Sequence, residues 1–126
     1  LPGSSNEPVE AQDQVFQLEV IVRADKIEVG DRNQGLLGIY PNTEDGYDFD
    51  AVGDKLVELK DRYPDKTDAS ILLEQEIAYD TLVQIMDTVR VSVDIEVNED
   101  DKKELVRTDL FPDISIGDAP VLAGGA

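Results

Sequence analysis

The sequence predicts an α/β (α+β) fold, a small two-layer sandwich in which a mixed sheet of four or five strands carries two helices on one face. Three observations lead there. Residues 15–23, VFQLEVIVR, alternate apolar and polar with a period of two. Residues 49–63 and 77–90 instead repeat their apolar side chains at spacings of three and four. Short apolar runs separate these helical stretches. Helices that alternate with buried strands need crossover connections, and therefore parallel pairing in part of the sheet.

Residues 1–14 read as a flexible lead-in, because Pro2, Gly3, Pro8 and two serines occur without periodicity. In the first strand Phe16, Leu18, Val20 and Val22 face one way, and Gln17, Glu19 and Arg23 the other. Ala24, Asp25 and Lys26 form a turn. Ile27, Glu28 and Val29 begin a second strand, broken by Gly30 and Asp31. From Asp31 to Gly46 the glycines, asparagines and Pro41 indicate a loop, with one short strand around Leu36, Leu37, Ile39 and Tyr40.

Asp48 is placed to cap the first helix, and Asp50 sits in its first turn. Phe49, Val52, Leu56, Leu59 and Tyr63 make its apolar stripe, and Pro64 stops it. Gly53, inside this helix, costs about 1 kcal/mol against alanine unless close packing on the sheet requires it. Ser70–Leu73 reads as a central strand covered on both faces. The second helix, Ile77–Arg90, presents Leu82, Val83, Met86 and Val89 as a stripe. Asp80 near its start and Arg90 near its end suit the helix dipole. Val91–Val97 alternates as a strand or an extended excursion, and residues 98–103 form a loop or hairpin tip. Leu105 and Val106 start the return, and Ile114 and Ile116 lie on a last edge strand. One domain thus spans residues 15–120, followed by a Gly/Ala tail at 121–126.

A chain of 126 residues can bury a single modest core. Its 40% hydrophobic and 32% charged content is that of a globular protein. The net charge of −18 argues against nucleic acid or an anionic membrane surface as partner, since phosphates would be repelled. With no cysteine and no histidine, the chain lacks a disulfide framework, thiolate and imidazole metal ligands, and the usual neutral-pH acid–base group. No apolar run approaches the roughly 18 residues that span a bilayer. The acidic groups at Glu44, Asp45, Asp48 and Asp50, and at residues 98–101, do not match the spaced calcium loop of an EF-hand. No nucleophile elbow or glycine-rich phosphate loop occurs. The residues therefore predict no catalytic side chain, cofactor or metal.

One stretch carries more. Tyr79, Leu82, Ile85, Met86, Asp87, Val89 and Arg90, within IAYDTLVQIMDTVR, form a run that resembles the second helix of the ExbD/TolR family. The opening VIVRADKIEV resembles that family's first hairpin, and LFPDISIGDAP (residues 110–120) resembles a C-terminal motif of its ExbD-like branch. The chain departs from the family at Glu74, Gln75 and Glu76, where an A-D-K-like turn is usual. It departs again at Val91–Asp109, an extra stretch that suggests a specialised contact surface.

The resemblance implies a non-catalytic periplasmic coupling domain of a proton-driven inner-membrane motor. Such a protein is single-pass, with its membrane segment preceding residue 1. The expected partners are a second copy, a TonB-like energy transducer, and an ExbB-like motor subunit reached through that membrane segment. Peptidoglycan binding of the TolR type is the alternative within the family, and a free-standing acidic α/β adaptor the alternative outside it. The partner-binding candidates are Tyr79, Leu82, Asp87, Arg90, Asp113, Ile114 and Ile116. Tyr79 has a second reading, a half-buried ring packed on the sheet edge at the helix start. Docking is expected by strand addition at an open edge, offered by Asp113–Gly117 or by Val15–Val22. Acidic flanks would steer a basic, Lys/Pro-rich stalk.

Overall fold

The alternation that opens the sequence becomes the middle of a sheet. A computed structural model describes residues 15–121; the expected lead-in at 1–14 and all but the first residue of the tail lie outside the described residues. Nine elements follow in order: β1 (Leu18–Val22), β2 (Lys26–Asp31), β3 (Gly35–Pro41), α1 (Phe49–Arg62), β4 (Asp68–Leu73), α2 (Tyr79–Arg90), β5 (Val91–Val97), β6 (Lys103–Asp109) and β7 (Asp113–Asp118). Five strands form one mixed sheet in the order β3-β2-β1-β4-β7. β1 runs antiparallel to β2 and parallel to β4, and β4 runs parallel to β7. The crossovers through α1 and α2 put both helices on the same face, as the fold class predicts.

That face holds the core. Phe16, Leu18, Val20 and Val22 from the first strand region are buried with Ile27, Val29, Ala69 and Ile71, against Val52, Leu56 and Leu59 of α1 and Ile85 and Val89 of α2. Phe16 stacks on Tyr63 with centroids 4.2 Å apart and meets Phe111 at 6.4 Å, closing the layer at one end. The cap is as expected: the Ala51 N–H donates to Asp48 Oδ1 at 3.1 Å.

Three expectations change in detail. β3 is a full seven-residue strand rather than an island in a loop. A bulge opposite Val29 and Gly30 admits it: Leu37 is the extra residue, and it packs on the core while Leu36 and Ile39 point out. The ring of Tyr40 lies over Gly38, where an added Cβ would come within 2.8 Å of the tyrosine Cζ. β4 is central but covered on one face, since Ser70 and Leu72 on the other remain half-exposed. The stripe of α2 is turned: Ile85 and Val89 are buried, Leu82 and Met86 pack against the core, and Val83 is exposed.

Gly53 answers to α2 and not to the sheet. A Cβ there would meet only Thr88 Cγ2, at an ordinary 3.7 Å. Gly53→Ala is therefore expected to raise stability by about 0.5–1 kcal/mol, through a less floppy unfolded chain and better helix propensity, and a denaturant midpoint measurement reads it.

Between α2 and β7 the chain makes an excursion. β5 and β6 pair antiparallel over seven rungs as a separate two-stranded ribbon. Asn98 turns it: its Oδ1 accepts from the Asp100 and Lys102 N–H groups, and Asp101 takes the left-handed conformation with φ of 60°. The Leu110 and Phe111 N–H groups then bond to the carbonyls of Arg90 and Val89, anchoring the return.

Candidate functional site

Edge strands are where a sheet can still form backbone hydrogen bonds, so the sheet order decides which candidates can dock a strand. It overturns one of them. The first strand region, Val15–Val22, cannot be an edge, because β1 uses one ladder for β2 and the other for β4. Its two-fold alternation reports one covered face and says nothing of its neighbours. The edges are β3 and β7.

β7 brings together Asp113, Ile114 and Ile116. The Asp113 and Ala119 N–H groups donate inward, to Thr67 and Leu73 carbonyls of the β4 side. In a parallel ladder alternate residues bond to the same neighbour, so the N–H and C=O groups of Ile114 and Ile116 point to the outer edge. Their side chains project on the helix face, Ile114 half-buried against the core and Ile116 51% exposed. Asp113 is fixed by Thr67, whose hydroxyl donates to its Oδ2 at 2.7 Å. The edge is thus pinned at its start and carries two apolar side chains, Ile114 and Ile116, on its helix face.

The α2 candidates divide. Tyr79, Asp87 and Arg90 share one outer stripe with Val83, at helical spacings of four, four and three. Tyr79 is 79% exposed, so the reading of a ring half-buried on the sheet edge is wrong. Helix α2 begins at that residue with no side-chain cap on Ala78, which leaves the ring at the helix end beyond the core. Asp87 and Arg90 form a loose exposed pair at 3.8 Å. Leu82 belongs to the inner stripe and packs against the core.

A polar knot that the sequence did not announce lies on the sheet face away from the helices. Arg23 is buried, 3% exposed, although it follows β1 on its polar side. Its Nε donates to Glu28 Oε1 at 3.2 Å and its Nη1 to Glu74 Oε2 at 2.9 Å and the Pro120 carbonyl at 3.2 Å. The Tyr47 hydroxyl donates to the Arg23 carbonyl at 2.6 Å. Burial disfavours the charged guanidinium, but the hydrogen bonds and charges of Glu74 and Glu28 outweigh it and hold its pKa above the ordinary arginine value. The tyrosine shifts the same way through burial, aided by the Glu74 and Asp25 charges.

Glu74, just after β4, is a clamp. Its Oε1 accepts the Ala24 N–H at 2.9 Å, and its other oxygen the arginine. The Ala24 N–H first, and Arg23 after it, hold its carboxyl below the ordinary 4.5 against partial burial. A carboxylate with a lowered folded pKa stabilises above its unfolded pKa and loses that contribution as pH falls through the folded value. The stability difference between the native chain and Glu74→Gln is therefore expected to be whole above about pH 5.5 and to shrink steadily below 4.5. Urea titrations at a series of pH values check it.

A shallow cleft of about 630 Å³ adjoins this knot, lined by Arg23, Leu73, Glu74, Gln75, Asp118, Ala119, Pro120 and Val121. Its walls bring carboxylates but no hydroxyl, amine or thiol nucleophile. Among the described residues no group of three or more acids is arranged to hold a metal ion, and no helix is long and apolar enough to cross a membrane. Comparison of the chain with protein-family models, with curated proteins and with solved structures gives no significant match.

Proposed function

We propose that this chain is a non-catalytic coupling domain of the ExbD/TolR type, which dimerises and docks a TonB-like energy transducer by strand addition at β7. The observation that carries the reading is the β7 edge itself. Ile114 and Ile116 present outward backbone groups and apolar side chains together, which is what an incoming strand requires. The residues of α2 that resemble the family's second helix add the exposed stripe of Tyr79, Asp87 and Arg90 on a helix that contacts β7. The net charge of −18 favours a basic stalk over an acidic one. On this reading the domain works in the periplasm, and an ExbB-like subunit is met through a membrane segment that precedes residue 1.

An NMR titration of the labelled chain with a Lys/Pro-rich transducer segment tests the proposal. The expected shifts fall on the amides of residues 113–118 and along α2, and Ile116→Lys weakens them. A spectrum unchanged at millimolar peptide, or shifts confined to other strands, would overturn docking at this edge.

A further inference from the structure

The ribbon of β5 and β6 has two unlike faces. Its register projects the rungs Val91/Asp109, Val93/Arg107, Ile95/Leu105 and Val97/Lys103 to one side, and Ser92/Thr108, Asp94/Val106 and Glu96/Glu104 to the other. On the first side Val93, Ile95, Val97 and Leu105 are 54%, 66%, 63% and 72% exposed. On the second, two glutamates lie directly opposite each other, which weakens the pairing. A two-stranded ribbon with an uncovered apolar face is marginal in water. This one is seven rungs long, so the apolar face calls for a cover.

We propose that the cover is a second copy of this chain, with the two ribbons packed face to face about a two-fold axis. The charges choose the occupant. Two chains of net charge −18 repel each other over most of their surface. The apolar ribbon face is an exception, carrying Lys103 and Arg107 against the single acid Asp109.

The order of the rungs is also self-complementary. A two-fold axis running across the strands, between the second and third rungs, lays β6 on β6 in opposite directions. Lys103 of each copy then meets the partner subunit's Asp109, Arg107 lies on the partner subunit's Leu105, and the β5 valines and Ile95 stack on one another. An isologous contact needs this match of one patch with itself.

The face is about 20 Å long, well short of a standard interface of roughly 1,200–2,000 Å². The dimer should accordingly be weak, with Kd on the order of 10–100 µM. The inference takes up the dimerisation in the reading above and is independent of transducer docking at β7.

Sedimentation velocity on the whole chain, from about 10 µM to 1 mM, tests it. The native chain should show a monomer–dimer equilibrium. Leu105→Lys should weaken it by at least about tenfold while leaving the thermal melt in place, because the residue is exposed. Lys103→Asp and Asp109→Lys should each weaken self-association by about tenfold, since each converts two attractive pairs into repulsive ones. Mixed together, the two variants should recover the native affinity, because the variant with acids at both positions now faces the variant with lysines at both. A native chain that stays monomeric at 1 mM would overturn the proposal. So would a dimer indifferent to Leu105→Lys, or a mixture no tighter than its components. Shifts of residues 93–107 in the transducer titration, without self-association, would assign the face to that partner instead. None of these failures touches the β7 edge, which the amides of residues 113–118 report separately.

Discussion

Replacing Arg23 by alanine should destabilise the fold by about 3 kcal/mol, although the residue looks like an ordinary polar position of a strand. The guanidinium is 3% exposed and ties three separate chain segments together: Glu28 of β2, Glu74 after β4, and the Pro120 carbonyl after β7. Removing it strands Glu28, whose side chain is 11% exposed and keeps only a looser contact with Lys26 at 3.6 Å. A buried carboxylate that loses its partner keeps its desolvation cost without its compensation. Arg23→Met in combination with Glu28→Met replaces both charges by apolar side chains, and should recover much of the loss. Chemical denaturation of the single and double variants reads both effects. Equal destabilisation by the double variant would show that the knot acts through Glu74 and Pro120 rather than through the buried pair.

The knot also shows where a sequence stops being informative. Helix α1 could be read locally, because a cap at Asp48, a stripe from Val52 to Leu59 and a stop at Pro64 all act within a few residues. The ribbon tip was legible for the same reason. By contrast the Arg23–Glu74 contact spans 51 positions, and nothing in the spacing of either residue refers to the other. The only local sign was Arg23 itself, a long cation beside a β2 glutamate that the hairpin brings to the same face.

The candidate site divides along the same line. β7 was legible as an edge from its isolated pair Ile114 and Ile116, whose alternation follows a long charged stretch. β1 was not legible as central, because ladder neighbours are set by the parallel crossover to β4 rather than by side-chain alternation. Tyr79 was misplaced since a helix stripe fixes only rotation about the axis. It does not say that the first turn overhangs the core. The full length of β3 was hidden by its bulge, which breaks the period of two at Leu37.

Phe111→Ala should be as damaging as any single truncation in the molecule, costing about 3–5 kcal/mol and about 10–20 °C in Tm. The ring is fully buried in the connection between β6 and β7. It packs at 6.4 Å from Phe16 and lies under the Lys60 ammonium at 5.1 Å, while its N–H holds the Val89 carbonyl. Two effects therefore combine: a cavity next to the Phe16–Tyr63 stack, and a loosened anchor where the ribbon returns to the sheet. The second distinguishes it from an ordinary core truncation. Hydrogen exchange should show the amides of β7 opening before those of β1 in Phe111→Ala, because β7 has one neighbour and loses its tether while β1 keeps two. Phe49→Ala is the matched control: that ring is half-buried at the other end of the helix layer, beside Tyr47 at 5.9 Å, and should cost visibly less without exposing β7. If both variants melt alike and β7 exchanges no faster than β1, the connection is a passive filler, and the order of the docking edge depends on β4 alone.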